Sequence, residues 1–220
     1  FFTRINGASE IFDVTTKPLI FDADNGGRIE HLKFFINRLE KIGISAIVLE
    51  DKVGLKRNSL FEDQKDSRQD TISNFSRKIK TIAQSRISND FMIVARIESF
   101  ILKKGLRDAI KRANAYSKAG ADAILIHSKN NSPNEIFSFA KVFAKSKYYK
   151  PLVAVPSTYS KTTEKNLEKN GFRIVIYANH MLRASYPSMM TVAQSILKNQ
   201  RSFPAEKNLE SIKKILNLIK

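Results

Sequence analysis

The sequence predicts an α/β protein of the (β/α)8 barrel class, and three observations lead to that prediction. Six short apolar segments rich in β-branched residues recur along the 220 residues, and amphipathic helical segments lie between them. This alternation is typical of right-handed βαβ units and a parallel sheet. Polar, titratable side chains follow most of the predicted strands, as they do at the catalytic face of a barrel.

The predicted strands are apolar on both faces and bounded by polar residues, which is typical of buried parallel strands. They cover 18–21, 46–49, 92–95, 123–126, 152–155 and 174–177. The segment 29–41 has apolar residues at helical spacing, as do 106–118 and 134–144. Gly43, Gly120 and Gly171 each precede a strand, where we expect them to end helices in the left-handed conformation.

A doubly wound sheet is the main alternative to a barrel, and it favours a glycine-rich phosphate turn after the first strand. The segment 24–27 does not match that G-x-G-x-x-G pattern. A barrel needs eight strands, so the six visible here predict that two βα units are missing upstream of Phe1. We expect one partial catalytic domain over 1–220.

The last part of the chain, 180–220, is predicted to be helical and to pack on a neighbouring subunit. Ser185 and Pro187 are typical of a helix start, as cap and first-turn residue. The segment 189–197 that follows is apolar on more than one side, and such a helix needs a second partner.

Composition excludes several classes of function. The chain has no cysteine, so disulfides, thiolate metal sites and a cysteine nucleophile are excluded. Lys plus Arg outnumber Asp plus Glu by 38 to 21, and the net charge of +17 favours nucleic acid, an anionic membrane or a small anionic substrate. No basic stripe with interleaved aromatic residues marks a nucleic-acid surface, and no apolar run approaches membrane-spanning length. We expect a cytoplasmic protein that binds neither nucleic acid nor membrane.

The interval between the second and third predicted strands is longer than the others. Its extra residues, 52–70, follow the carboxyl end of a strand, so they are expected to cover the mouth of a barrel. Lys56, Arg57, Asn58 and Ser59 in this loop are suited to binding an anion and excluding water.

Three acids lie at predicted strand ends. Asp22 and Asp24 are two residues apart, where a strand would direct both carboxylates to one side, and Glu50 ends the next strand. Hard oxygen ligands favour Mg²⁺ over zinc. The alternative is that these acids cap turns.

Two further strand ends carry candidate site residues. Arg96 begins inside a buried strand, and it either binds an anion or forms a structural ion pair with Glu98 or a neighbouring acid. His127 ends another strand, and the alternative for it is a core histidine with satisfied hydrogen bonds. Together with the acids they suit a metal-bound anion that carries a phosphate or carboxylate group.

These residues match a family pattern over most of the chain, from about 18 to 197. The chain resembles the phosphoenolpyruvate mutase branch of the isocitrate lyase superfamily in the segments 22–27, 50–59, 95–99, 119–127 and 152–156. The most specific match is E-D-K-x-x-x-K-x-N-S, which runs from Glu50 to Ser59. The lyase branches of that superfamily carry a loop with a catalytic cysteine, and this chain has none.

The resemblance implies an isomerase that interconverts phosphoenolpyruvate and phosphonopyruvate, the entry step to phosphonate synthesis, with Mg²⁺ as cofactor. It implies that Asp22 binds the metal directly and that Asp24 and Glu50 hold its waters. It also implies a homotetramer whose last helices are exchanged between neighbours. The remaining implied roles are substrate binding by Arg96 and His127, and closure over the substrate by Lys56, Asn58 and Ser59, with Asn58 closest to the migrating phosphoryl group.

Other functions stay open at this point. Phosphonopyruvate hydrolase and an oxaloacetate-type decarboxylase use the same barrel, although Asn58 and Ser59 favour the mutase. Members of the resembled family carry a first strand and loop that bind substrate, and this chain lacks a counterpart, so an inactive fragment is a third possibility. A basic nucleic-acid-binding protein is a fourth.

Overall fold

The computed structural model describes residues 2–54, 59 and 67–218. Lys56 and Asn58 therefore lie outside the described residues. By its internal packing the chain divides into two units, Phe1–Ile176 and Tyr177–Lys220, which are described separately below.

The first unit is built on a parallel sheet of six strands, as the sequence predicts. The strands of this unit are β1 (Ile20–Asp22), β2 (Ala46–Glu50), β3 (Lys52–Val53), β4 (Arg68–Gln69), β5 (Met92–Ile97), β6 (Ala123–Ile126), β7 (Leu152–Ala154) and β8 (Phe172–Val175). The sheet order is β1-β2-β5-β6-β7-β8, and every neighbouring pair is parallel. An eight-stranded barrel has two further βα units, which the described part of the chain does not contain.

Helices lie between successive strands of this sheet and supply much of the core. All five residues of β2 are buried, and Leu32, Ile36 and Leu39 on one face of α2 belong to the same apolar cluster. Burial on both faces explains why the strands are continuously apolar. The helices are α1 (Phe2–Phe12), α2 (Ile29–Lys41), α3 (Ile72–Ser85), α4 (Gly105–Ala119), α5 (Asn134–Phe143) and α6 (Glu164–Lys169).

The predicted glycine caps are confirmed. Gly43, Gly120 and Gly171 have φ values of 100°, 114° and 90°, in the region that other residues rarely adopt. Space is also restricted at Gly120, because an added Cβ would lie 2.9 Å from the Cβ of Ala83 on α3. This glycine lets α4 turn directly into β6 against a close neighbour.

The long interval after β2 begins and ends in a two-stranded antiparallel hairpin. Lys52 of β3 pairs with Gln69 of β4, and the N–H of Asp70 donates to the carbonyl of Asp51 over 2.8 Å. Because β3 follows β2 after a single residue, the hairpin stands at the carboxyl edge of the parallel sheet.

The second unit contains α7 (His180–Asn199), a 3₁₀ helix (Phe203–Asn208) and α8 (Ile212–Asn217). The predicted helix start at Ser185 is wrong, because α7 begins at His180 and Pro187 lies inside it. The hydrogen bond from the N–H of Arg183 to the carbonyl of Asn179, 2.9 Å, already belongs to the helix, so the local proline signal is overridden.

Helix α7 buries none of its residues, and its exposed apolar residues include Met181, Leu182, Tyr186, Met189 and Leu197. Within the described ranges, no helix combines the length and apolar character that a bilayer crossing requires.

Candidate active site

Four neighbouring strands bring the predicted site residues to one edge of the sheet. Glu50, the last residue of β2, is in register with Arg96 of β5. His127 follows the end of β6, and Asp22 ends β1. Parallel strands place their carboxyl ends on the same side. The sequence-based expectation that these side chains gather there is therefore met by the strand order.

Arg96 is held by a carboxylate two residues further along. Its Nε lies 2.6 Å from Oε1 of Glu98 and 3.7 Å from Oε2 of Glu50. The Ser59 hydroxyl donates to Oε2 of Glu98 over 2.6 Å and accepts a bond from Nη2 of Arg96 over 2.8 Å. The ion pair between Arg96 and Glu98, one of the two alternatives drawn from the sequence, is present. A loop residue, Ser59, completes a closed triangle with the pair.

Opposite charges keep Arg96 and Glu98 ionised in spite of their burial. Burial opposes the charge on Arg96, but attraction to Glu98, Glu50 and Asp22 raises the pKa of the guanidinium above its usual value. Burial likewise disfavours the charged form of Glu98, but Arg96 and other neighbours lower the pKa of this carboxyl overall. Lys52 adds a second cation, with Nζ 4.0 Å from Oε2 of Glu98.

His127 is buried and electrically neutral at neutral pH. Burial, followed by the positive charge of Arg96, lowers the pKa of the imidazole to about 4. Its Nδ1 has no hydrogen-bond partner within the part of the chain that the structure describes. A buried ring nitrogen normally has a partner. The alternative of a satisfied core histidine therefore does not hold among these residues.

A turn arranges Asp22, the last residue of β1, and Asp24. The N–H of Asp24 donates to Oδ1 of Asp22 over 3.0 Å, and Asp24 has a φ of 52°. A strand does not run through both aspartates, because β1 ends at Asp22 and an Asx-type turn follows, as the turn alternative predicts. The N–H of Glu50 donates to the carbonyl of Asp24 over 2.8 Å, which ties the turn to the end of β2.

An arginine that the sequence did not predict contacts this turn. Nη1 of Arg4, on α1, lies 2.8 Å from Oδ2 of Asp24, and Nη2 donates to the carbonyl of Asp22. The guanidinium also lies over the ring of Phe21, 4.8 Å from its centroid. Arg4 thus neutralises part of the negative charge at the turn.

The chemistry of the three acids fits Mg²⁺, because carboxylate oxygens are the hard ligands that this ion prefers. Within residues 2–54, 59 and 67–218, however, no three His, Asp or Glu side chains are placed so as to hold a metal. Arg4 pairs with Asp24 and Arg96 approaches Glu50. Arginines thus compensate these carboxylates in the arrangement that the structure describes.

Further charged residues near the site were not among the predicted site residues. Glu98 was considered only as a partner of Arg96, and Arg112 on α4 and Lys78 on α3 were not considered at all. The last two are buried, and Nζ of Lys78 donates to the carbonyl of Asn25 over 2.8 Å. The sequence signal for Arg112 and Lys78 was a charged residue at a core position of an amphipathic helix. Buried apolar residues surround both positions: Phe75, Ile79 and Ile82 on α3, and Ala109, Ala113 and Tyr116 on α4.

A family model and related proteins match nearly the whole chain. The family model described as phosphoenolpyruvate phosphomutase matches residues 1–197. The chain is 36% identical over 221 residues to a phosphoenolpyruvate phosphomutase of Tetrahymena pyriformis, covering 99% of this chain and 72% of the relative. It is also 36% identical over 222 residues to a phosphonopyruvate hydrolase of Variovorax sp. (strain Pal2), covering 98% and 74%.

Solved structures show the same similarity in three dimensions. A phosphoenolpyruvate phosphomutase of Streptomyces platensis subsp. rosaceus superposes with a TM-score of 0.89 at 31% identity, over 97% of this chain and 73% of that one. A phosphonopyruvate hydrolase complexed with oxalate and Mg²⁺ gives a TM-score of 0.87 at 33% identity, over 98% and 73%. The six-stranded sheet thus corresponds to part of a barrel-like family fold, and the chain belongs to the phosphoenolpyruvate phosphomutase family.

Proposed function

We propose that the protein interconverts phosphoenolpyruvate and phosphonopyruvate by intramolecular phosphoryl transfer that depends on Mg²⁺. The observation that carries the proposal is the triangle of Arg96, Glu98 and Ser59 at the carboxyl edge of the sheet, beside Glu50. It holds the Arg96 guanidinium in a fixed orientation beside Glu50, one of the three acids proposed to hold Mg²⁺. An anionic substrate bound to that metal would therefore lie near a positive charge.

The reaction needs positioning and charge neutralisation more than covalent chemistry. The carbon–phosphorus bond of phosphonopyruvate breaks and a phosphorus–oxygen bond to the enolate oxygen forms, through a loose transition state with charge spread over the phosphoryl oxygens. Mg²⁺ held by Asp22, Asp24 and Glu50 would neutralise negative charge on the substrate when bound. Arg96 supplies a second positive group, and Glu98 restricts its orientation.

The other proposed roles follow from the same site. His127 remains neutral, so its imidazole offers hydrogen bonding to the substrate without adding charge. Ser59 brings the loop to Arg96 directly. Lys56 and Asn58, which lie outside the described residues, are proposed to close over the substrate. Exclusion of water matters here, because water in the site would turn transfer into hydrolysis.

Phosphonopyruvate hydrolysis is the second candidate, and the 36% identity to the Variovorax hydrolase supports it as strongly as the equal identity supports the mutase. The two reactions differ in their products. When phosphonopyruvate is followed by phosphorus NMR, the mutase yields phosphoenolpyruvate, whereas the hydrolase yields inorganic phosphate.

We also propose that residues 180–220 pack on a neighbouring copy, giving a homo-oligomer such as a tetramer with exchanged helices. The exposed apolar residues of α7 support this, because a helix that buries none of them in its own chain needs another surface. Light scattering of the purified protein tests it. A monomer at micromolar concentration would contradict the proposal.

A further inference from the structure

Beneath the candidate site lies a second polar cluster, centred on Asp51. Its side chain is fully buried, and four hydrogen bonds converge on its carboxylate. The N–H of Glu98 donates to Oδ1 over 2.9 Å. Gln69, Arg112 and Tyr116 donate to Oδ2 over 2.9, 3.1 and 2.8 Å. A carboxylate with this many donors is fixed in one orientation.

The main chain of Asp51 is tied to the same elements. Its N–H donates to the carbonyl of Arg96 over 3.1 Å, and its carbonyl accepts the N–H of Asp70 over 2.8 Å. Asp51 therefore joins the end of β5, where Arg96 lies and Glu98 follows, to both strands of the hairpin formed by β3 and β4.

Arg112 holds Asp51 from below. Its Nη1 donates to Asp51 and to the carbonyl of Asp70, 2.8 Å away, while its Nε donates to Asp108 over 2.8 Å. Asp108 in turn accepts the hydroxyl of Ser99 over 2.7 Å, and Ser99 follows Glu98 directly. The cluster thus fixes Glu98 through its own N–H and through its neighbour.

A purely structural role does not require charged groups in this position. Buried ion pairs are costly to desolvate, and well-packed apolar residues often stabilise a fold as much. The charged cluster lies at the carboxyl end of β5, immediately beneath the residue pair that holds Ser59. This location indicates that the cluster serves to position Arg96 and Glu98.

We propose that Asp51 is a positioning residue for the reaction: together with Arg112 it sets the main chain at Glu98, and thereby the orientation of the Arg96 guanidinium. The kinetic part of this inference, the change in kcat, rests on the proposed function. The structural part, the orientation of the Arg96 guanidinium, does not. Asp51 acts through Glu98 and Arg96 and contacts no substrate.

The chain offers a matched control at the opposite end of the same strand. Oδ2 of Asp122 accepts the N–H of Ile93 over 2.9 Å and a bond from Nη1 of Arg86 over 2.8 Å. Asp122 joins an arginine to the N–H of Ile93 near the start of β5, and Asp51 joins an arginine to the N–H of Glu98, the residue after β5. Of the two, only Asp51 lies at the candidate site. Asp51→Asn and Asp122→Asn therefore change the same chemistry at the two ends.

The test compares the two variants by two measurements on the 220-residue chain. The first, on ¹⁵N-labelled protein, is the hydrogen-exchange rate of the Arg96 Nε–H, whose resonance is assigned by its loss in Arg96→Lys. The second, on unlabelled protein, is steady-state kinetics with phosphonopyruvate. We expect Asp51→Asn to speed this exchange about tenfold and to lower kcat about tenfold with little change in KM, because small misplacements of reacting groups have large kinetic effects. Asp122→Asn should leave both within about twofold.

The outcomes separate the two proposals. Unchanged exchange at Arg96 in Asp51→Asn, or equal kcat losses in both variants, overturns the positioning role. If Asp51→Asn does not fold, Arg112→Lys replaces it in the test. This variant keeps the positive charge but loses the separate Nε and Nη1 contacts to Asp108 and Asp51, so we expect the same faster exchange and lower kcat. If the wild type turns over no phosphonopyruvate, the proposed function fails, while the exchange measurement still decides the inference.

Discussion

The guanidinium Nε of Arg96 lies 2.6 Å from Oε1 of Glu98, and this pair fixes the charge pattern of the candidate site. The side chain of Glu98 is fully buried, so the pair is shielded from solvent on the acid side. Ser59 contacts both members. An interaction of this kind is strong only as long as both partners are present, because a single buried charge is costly.

Glu98→Gln should therefore destabilise the protein. We expect the free energy of unfolding to fall by about 3 kcal/mol, since Arg96 loses its 2.6 Å ion pair and the remaining one, to Glu50, is longer at 3.7 Å. Glu168→Gln is the matched control, because the pair of Glu168 and Arg173 lies at the surface with both side chains more than half exposed. Its loss should cost less than about 0.5 kcal/mol. Urea unfolding measures both, and equal changes would contradict the account.

Arg96→Lys should remove most activity while the protein stays folded. A lysine ammonium cannot make the separate Nε and Nη2 contacts of Arg96, and loss of one preorganised charge donor lowers kcat by about 100-fold. Arg86→Lys is the control, because Arg86 pairs with Asp122 at the far end of β5. Steady-state kinetics on phosphonopyruvate should show a large loss in the first variant only. Similar losses in both would indicate a general folding defect.

His127 should weaken the fold on the acid side of neutrality. Its pKa falls from 6.5 to about 4 on folding, so the unfolded chain binds the proton more readily between these values. The contribution of His127 is complete above pH 6.5 and is lost as the pH falls to 4, by up to about 3 kcal/mol. The charged groups that act on it are Arg96, Glu98 and Lys52.

His127→Gln should accordingly flatten the acid side of the stability profile, measured by urea unfolding at several pH values. Asp51 acts in the opposite direction, because burial raises its pKa from 3.8 to about 6 and the folded protein then takes up the proton first. Asp51 is present in both proteins, so its effect cancels in the comparison. An equal slope below pH 6.5 in wild type and variant would refute the prediction for His127.

Mg²⁺ should raise the melting temperature of the wild type, since a ligand that binds the folded state stabilises it by about 2.7 kcal/mol at a hundred times its Kd. Asp24→Asn removes one of the two carboxylates proposed to hold the waters of the metal and should reduce this shift by at least half. Asp90→Asn, a change at an exposed acid away from the site, should leave the shift intact. Equal Mg²⁺ shifts in all three proteins would exclude the proposed ligand set.

Much of the fold was predictable because it depends on short-range pattern. Buried strands are continuously apolar, and Gly43, Gly120 and Gly171 end helices where their positive φ is needed. Strand ends then follow from strand positions, so Glu50, Arg96 and His127 were placed on one edge without a structure. The start of α7 was not predictable in this way, because Pro187 is accommodated inside the helix.

The contacts made by the site residues were harder to predict, because they join distant parts of the chain. The pairs of Arg112 with Asp51 and of Arg4 with Asp24 are separated by 61 and 20 positions. Only the charged position on an otherwise apolar face of α4 indicated Arg112 in the sequence, and nothing indicated Arg4. The turn at Asp24 was predicted only as the alternative, because the strand was assumed to continue beyond Asp22.

Phosphorus NMR of phosphonopyruvate incubated with the protein and Mg²⁺ in ¹⁸O-enriched water distinguishes the mutase reaction from hydrolysis. We expect phosphoenolpyruvate without ¹⁸O in its phosphoryl group, because the proposed transfer is intramolecular and water is excluded. Removal of Mg²⁺ by a chelator should stop the reaction. Inorganic phosphate carrying ¹⁸O, with no phosphoenolpyruvate, would contradict the mutase proposal and assign the hydrolase reaction to this site.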